Sequence, residues 1–443
     1  MKDQPFLKML NDRKPKIIAL ASGVLSLMVS FSLAQTPIPD HPLTWNDCVE
    51  LALRNNPDLV SSQKALEASK ASYYGSYNGL MPQLTLSNSY SDSDNYGGSR
   101  GTTLGPPTWQ GQGTLSLNLF NASQIASIKT SHALLAQAEA NLRQTSSVLR
   151  FNLYKAYSQL LFAQRDVEVS LNIRDMRQES AQLVTLRYNS GTESKGNMLR
   201  AKAQFLQAKT DLAQAIRDKR TAQWGLDSIF GLDHFTAIVV TNTHTLQSPE
   251  NVLDHEESLV LHRPDVALQE AVVKTAEANL KQSHSTLWPN LSANYSRFTL
   301  GSTEFPSAQY GWNFNAILNY PLFGGGPTAS YFAISAAKNS LEKSRQDLHS
   351  TLHQAIVDLE ASWSNFTGAM DQTLVQAALL EAARQRNEEA NIRYASGLLT
   401  YDNWEIIASD RINQERQAIQ SQLNAENTEA AWIKSLGKQL EEQ

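Results

Sequence analysis

The segment from Ala122 to Tyr188 contains neither glycine nor proline. It is rich in Ala, Gln, Leu, Ser and Asn, and an unbroken helix over it would run about 100 Å at 1.5 Å per residue. A rod of that length does not fit inside a compact globule. No proline occurs between Pro107 and Pro249 or after Pro327. Within the segment, Ile128, Leu135, Leu142, Leu149, Ala156 and Ala163 recur every seven residues, the spacing of a coiled-coil seam.

The plan repeats. Pro57-Asp58-Leu59 returns as Pro264-Asp265-Val266, and Met81-Pro82-Gln83-Leu84 returns as Trp288-Pro289-Asn290-Leu291, both 207 residues on. Arg187-Tyr188-Asn189-Ser190-Gly191 returns as Arg393-Tyr394-Ala395-Ser396-Gly397 at 206, and Ile128, Leu135 and Leu142 match Ile334, Leu341 and Leu348 at the same offset. The chain is therefore read as a tandem duplication. The first copy is assigned 35–232 and the second 251–443, with a linker at 233–250.

Each copy reads as a short helix, a second helix after a Pro-Asp pair, two strands, a long helix, a glycine turn and a final helix. The first helix begins at Thr44 with Asp47 as its capping partner, and its counterpart begins near Asn251. The strands are expected at 83–91 and 114–120, then 290–300 and 309–322. The long helices are set at 122–188 and 328–394, and the final helices at 194–224 and 400–436. Two shorter helices end to end match the length of each long one, so each pair should stand beside it, with the short helices and linkers near the join.

The stretch Tyr310 to Leu322 shows what the strands are for. Tyr310, Trp312, Phe314, Ala316, Leu318, Tyr320 and Leu322 alternate with positions that include Gly311, Asn313, Asn315 and Asn319. Alternate side chains point to opposite faces, so one face is aromatic and apolar and the other small and polar. That is the pattern of a strand between lipid and water, and Tyr310, Trp312, Phe314, Leu318 and Tyr320 become lipid-facing candidates. A half-buried edge of a soluble sandwich is the other reading of such a strand taken alone. Four strands cannot close a barrel and open edges are not tolerated in lipid, so several chains must close it, eight strands for a dimer or twelve for a trimer.

Lys2, Lys8, Arg13, Lys14 and Lys16 precede the apolar run Ile17 to Leu33, which ends in small residues before Gln35. This reads as a secretory leader with cleavage expected after Ala34; a single membrane span is the alternative, set against it by a run near the lower length limit and interrupted by serines. Its loss would take away five basic and two acidic residues and move the formal charge from −5 to −8, which disfavours nucleic acid as a partner. Cys48 is the sole cysteine, so no disulfide forms within the chain and a small buried residue is the simplest reading.

These residues together resemble the TolC family of outer-membrane efflux and secretion proteins. The resemblance is carried by Leu43-Thr44-Trp45 leading into Leu51-Ala52-Leu53-Arg54-Asn55-Asn56-Pro57, by His262-Arg263-Pro264-Asp265, by the Pro-x-Leu strand starts, by Tyr320-Pro321-Leu322-Phe323, and by the paired Arg-Tyr-x-Ser-Gly turns. It implies a mostly α fold with a membrane β-barrel portion: a homotrimer whose twelve strands form one outer-membrane barrel and whose helices form an α-helical tunnel across the periplasm. It also implies a periplasmic adaptor docked on Ser190-Gly191-Thr192 and Ser396-Gly397-Leu398, although glycine serves a tight helical turn equally well. An inner-membrane pump, of the resistance or ABC type, would supply the energy. Asp402 and Glu405, three apart at a helix start, become candidates for an acidic ring closing the tunnel. They fall one residue nearer the glycine than the family pattern, and charge favourable to a helix N-terminus is the competing account.

Other motifs point nowhere. His349 and His353 have the spacing of zinc ligands but no acidic helper of an HExxH motif, and read as a surface pair. Gly324-Gly325-Gly326 lacks the Lys-Ser/Thr of a phosphate loop and reads as a swivel. No nucleophile, base and orienting group assemble in sequence, so no enzyme, cofactor or metal site is expected. The expected function is a passive exit duct for drugs, toxic compounds or metal ions; the alternatives are type I polypeptide secretion and a periplasmic coiled-coil scaffold without a pore.

Overall fold

The computed structural model describes residues 41–442 apart from 92–93, 96–102, 105–107, 242–245, 247–255, 302–308, 323–324 and 327. The expected leader, much of the linker, the start of the helix near Asn251 and Gly324 lie outside the described residues. In the first copy α1 (Trp45–Asn55) is followed by α2 (Pro57–Ser76), a 3₁₀ turn Tyr77–Leu80, β1 (Gln83–Ser91), the two-residue pair β2 (Asp94–Asn95) and β3 (Thr103–Leu104), β4 (Thr108–Asn121), α3 (Ala122–Asn189) and α4 (Lys195–Ile229). The second runs α5 (Glu256–Val260), α6 (Pro264–Ser285), β5 (Asn290–Gly301), β6 (Gln309–Asn319), α7 (Ala329–Ala395) and α8 (Tyr401–Ser435).

Local chemistry sets these bounds. Thr44 caps α1, its backbone N–H donating to Asp47 at 2.9 Å while its hydroxyl accepts from the Asp47 N–H. β6 stops at Asn319 rather than at 322, because Pro321 has no N–H to continue a ladder; Tyr320 thus lies just past the strand. β4 extends well beyond 114–120, paired with β1 along its first half and with β5 along nearly all of it. Helix α4 runs through Gly225 to Ile229 instead of ending at 224. The residue that turns the chain is Gly231, φ 65°, which stands 206 residues before Gly437, φ 80°.

Helices α2 and α4 lie along α3, and α6 and α8 along α7, while α3 also touches α6 and α8. Small residues make the seams. Ala201, Ala208, Ala215 and Ala222 are buried at seven-residue spacing in α4, and Leu341, Ala355, Ser362, Ala369, Ala383 and Ala390 follow a heptad frame in α7. On the expected α3 seam Leu149 and Ala163 are buried, with Ile128, Leu135, Leu142 and Ala156 partly so.

The stacked helices meet at two equivalent joints. At the first, the Asn56 amide donates to Ile229 O at 2.8 Å and its carbonyl caps α2 by accepting from Leu59 N–H. At the second, Arg263 occupies the duplicated position, donates to Ser435 O at 3.4 Å and Ala355 O at 3.2 Å, and holds Asp265 through two nitrogens at 3.0 and 2.7 Å. The glycines let the ends approach: a Cβ on Gly231 would lie 2.7 Å from Asn55 O, and one on Gly437 would lie 2.9 Å from Pro264 Cδ.

Beside the first joint, the backbone around Leu43 bonds that around Val240 in parallel, and the Gln164 amide both donates to and accepts from Val240 at 2.9 and 3.1 Å. Trp45 packs edge-on against Tyr154 and Tyr157. The Tyr154 hydroxyl lies 2.6 and 2.7 Å from the Glu426 and Glu429 carboxylates, which ties α3 to α8. Burial, with the charge of Asp47, pushes the Cys48 thiol up to about 12, so it packs as an inert residue.

Gly437→Ala and Gly397→Ala separate packing from backbone strain. Both place a side chain at positive φ, costing ~1–2 kcal/mol, but the Cβ at residue 397 meets only Arg187 Nη2 at 3.7 Å. Thermal unfolding followed by circular dichroism should show the larger fall for Gly437→Ala.

Candidate functional site

The first functional surface is a four-stranded antiparallel sheet in the order β1-β4-β5-β6. Register decides what each face carries. Leu84 pairs with Leu115, Leu115 with Tyr295 and Tyr295 with Phe314, so one row crosses the sheet entirely in apolar and aromatic residues. The parallel row Leu117, Ala293 and Ala316 continues it. The opposite face holds Thr85, Thr114, Ser296 and Asn313 in one row and Gln83, Ser116, Asn294 and Asn315 in the next. Along that face Gln110 donates to Gln112, and Gln112 to Thr114, each at 3.0 Å.

Departures from the alternation are local. Phe298 and Ile317 fall on the polar face, and Phe298 lies over Gly311, where a Cβ would come within 2.7 Å of the ring. Arg297 falls on the apolar face, with its guanidinium 5.8 Å from the Tyr310 ring centre. It stands among Tyr90, Trp109, Tyr295, Tyr310, Trp312 and Phe314, at the loop end of the strands, where amphipathic side chains suit a membrane interface. Exposed Tyr320, Leu322, Trp288, Tyr331 and Phe332 occupy the helix end. From Trp312 to Tyr320 is about 27 Å along the chain at strand rise, comparable with the ~25 Å apolar band of membrane barrels. Among the described residues no helix is long and apolar enough to cross a membrane.

The second surface is the far end of the long helices. Both glycine turns are Schellman motifs: Thr192 N–H donates to Arg187 O at 2.9 Å and Gly191 N–H to Tyr188 O, while Leu398 N–H donates to Arg393 O at 2.8 Å and Gly397 N–H to Tyr394 O. Gly191 and Gly397 have φ 78° and 76°. Their surfaces differ, since Ser190 and Thr192 hydrogen-bond locally while Leu398 is 79% exposed. Ser396 bonds back to Ile392 O.

Between the two turns lies a buried cluster absent from the sequence expectations. Arg187 donates to Tyr394 O at 2.7 Å, and its guanidinium sits 4.5 Å from the Tyr394 ring centre. Tyr394 in turn stacks on Trp404, centroids 4.3 Å apart and planes 5° from parallel, and the Trp404 indole donates to Asn391. The Tyr394 hydroxyl donates to Glu193 at 3.1 Å. Burial and that carboxylate push Tyr394 up to about 12. Burial opposes ionisation of Glu193, but bonds from Asn197, the Ser194 N–H and Tyr394, with the charge of Arg187, outweigh it and hold the carboxyl below its usual range. Stability from this contact is therefore complete above the ordinary carboxylate range and is lost as pH falls through the lowered value.

Asp402 and Glu405, three residues apart at the start of α8 and both candidates for the acidic ring, part company. Asp402 is 70% exposed and faces Arg200 at 3.4 Å. Glu405 is 3% exposed and receives Arg177 at 2.7 Å and Ser409 at 2.6 Å; Arg177 also reaches Ser409. One carboxylate looks outward and the other is a brace between α3 and α8. Spacing on α8 does not reveal this, because Arg177 is 228 residues away.

The sequence matches the family described as Outer membrane efflux protein over residues 48–232 and 257–438. The chain belongs to that family. This efflux protein is 21% identical over 354 residues to the cation efflux system protein CusC of Escherichia coli O157:H7, covering 79% of this chain and 76% of CusC. It is 22% identical over 374 residues to the alkaline protease secretion protein AprF of Pseudomonas aeruginosa, covering 80% and 77%. Its fold superposes on a crystal structure of CusC with a TM-score of 0.79 at 18% identity, covering 89% of this chain and 92% of the other. On the outer membrane protein VceC from Vibrio cholerae the TM-score is 0.77 at 19% identity, covering 90% and 97%. The efflux protein is thus an outer-membrane exit duct, with the helical and barrel parts of that fold.

Removing one member of the buried pair should cost about 3–5 kcal/mol by stranding the other charge. Arg177→Met and Glu405→Gln each lower the unfolding midpoint substantially, and combining them recovers part of the loss. A double-mutant cycle measures the coupling; additive losses would deny the brace.

Proposed function

We propose that three copies of this chain form one continuous channel-tunnel, the passive outer-membrane member of a tripartite export machine. The observation carrying the proposal is the two-faced sheet whose edge strands β1 and β6 have, among the described residues, no outer partner. Its apolar face, with Tyr310, Trp312, Phe314 and Leu318, lies against lipid together with Tyr320 at the lower rim. Its Asn, Gln, Ser and Thr face lines the water-filled bore. Three sheets supply twelve strands, a barrel with no free edge.

The turns at Ser190-Gly191-Thr192 and Ser396-Gly397-Leu398 receive the hairpins of a periplasmic adaptor, and an inner-membrane pump of the resistance or ABC type drives transport. Asp402, exposed near the second turn, is the gate carboxylate and favours cations; Glu405 acts through Arg177 by holding the helix that carries it. The cargo is a small molecule or metal ion, a reading that CusC supports by its description as a cation efflux protein. Polypeptide secretion is the second reading, favoured by the similar match to AprF.

Purified protein added to planar bilayers should give discrete conductance steps, whereas a scaffold without a pore gives none. Asp402→Ala should reduce cation selectivity; selectivity equal to wild type removes Asp402 from the gate. Lipid-phase quenchers should quench Trp312 in reconstituted protein, measured against Trp312→Phe. An unchanged quenching profile in that variant would reverse the assigned face.

A further inference from the structure

His349 and His353 project from neighbouring turns of α7, and both are exposed. Their Nε2 atoms lie 3.2 Å apart and their ring centres 4.3 Å apart, at 68° between planes. Neither ring has another hydrogen-bonding partner among the described residues. The neighbouring side chains are already engaged: Gln346 donates to Glu342, Arg345 pairs with Glu277 and Gln354 donates to Asp358. Leu348, Leu352 and Ile356 turn instead into the apolar core formed with α5, α6 and α8, so the helix carrying the pair is fixed by packing.

We propose that His349 and His353 chelate a borderline divalent transition-metal ion, Cu²⁺ in preference to Ni²⁺ or Zn²⁺. Metal–imidazole bonds of about 2.0–2.1 Å with donors 3.2 Å apart subtend about 100° at the ion. That angle lies between the square-planar and tetrahedral values used by Cu²⁺ and Zn²⁺, so the rings already stand at chelating separation. A linear two-coordinate ion such as Cu⁺ needs donors about 4 Å apart by the same bond length, and fits less well. Hard ions such as Mg²⁺ and Ca²⁺ prefer oxygen ligands. Copper ranks first among first-row divalent ions for nitrogen sites.

The site supplies two nitrogens, and no group of three or more His, Cys, Asp or Glu suited to a metal occurs among the described residues. Water therefore completes the coordination. An exposed, two-ligand site of this kind exchanges its ion readily and is suited to transient binding rather than to holding the fold together. Its assignment does not depend on the exit-duct reading, because binding is measured directly on the protein.

The test uses the full chain, purified in detergent without a polyhistidine tag and titrated with Cu²⁺ under equilibrium dialysis and electron paramagnetic resonance. Wild type should take up one copper per chain at this site, with hyperfine structure from two imidazole nitrogens. His349→Ala and His353→Ala should each weaken that binding roughly ten-fold or more, since the second imidazole binds as an intramolecular ligand. A further variant, His353→Gln with Gln354→His, keeps the number of histidines but turns one about 100° around the helix, and should lose the two-nitrogen signal as well. Absence of that signal in wild type, or wild-type affinity in either alanine variant or in the register variant, overturns the assignment.

Discussion

An open edge on a sheet that carries one apolar face is the constraint on which this molecule depends. In hydrocarbon no water is available for the outward N–H and C=O groups of β1 and β6, and each left unpaired costs several kcal/mol. Within one chain the two middle strands have a neighbour on each side, and among the described residues the two outer ones have a neighbour on one side alone. In the proposed trimer, pairing β1 of one chain with β6 of the next would repair both edges with the same contact. Duplication makes this economical, because each copy delivers two strands and one pair of helical columns in the same order.

The helical part meets a different demand, since columns must pack closely while leaving polar side chains on their free faces. Alanine heptads achieve this. Ala201, Ala208, Ala215 and Ala222 present little more than backbone to α3, so helix axes can approach without bulky knobs. Larger side chains are concentrated where helices end: the Trp45, Tyr154 and Tyr157 group beside the first joint, and the Arg187, Tyr394 and Trp404 stack near the tip.

Much of this was legible in the residues because helix and strand periods leave different marks. The absence of glycine and proline from Ala122 to Tyr188 announced α3, and alternation from Tyr310 announced β6. Of the boundaries that differ, two had signals in the sequence: Pro321 marks the end of β6, and the 206-residue offset from Gly437 points to Gly231 rather than Gly225. The side on which Glu405 lies was not legible. Helical spacing relates it to Asp402, but its burial is decided by Arg177 on another helix. The convergence of His349 and His353 likewise depends on rotamers, which spacing permits without dictating.

The two joints have a mechanical consequence. Every long helix is covalently continuous, whereas the column beside it is two pieces held by an Asn56 amide or an Arg263 guanidinium against the last carbonyls of α4 or α8. Under a bending load the continuous member carries tension through its backbone, and the segmented member yields first at the butt joint. Each half of the chain therefore sets a continuous strut beside a segmented one, and a bend imposed at the far end of the helices should concentrate at the joint rather than spread evenly toward the sheet.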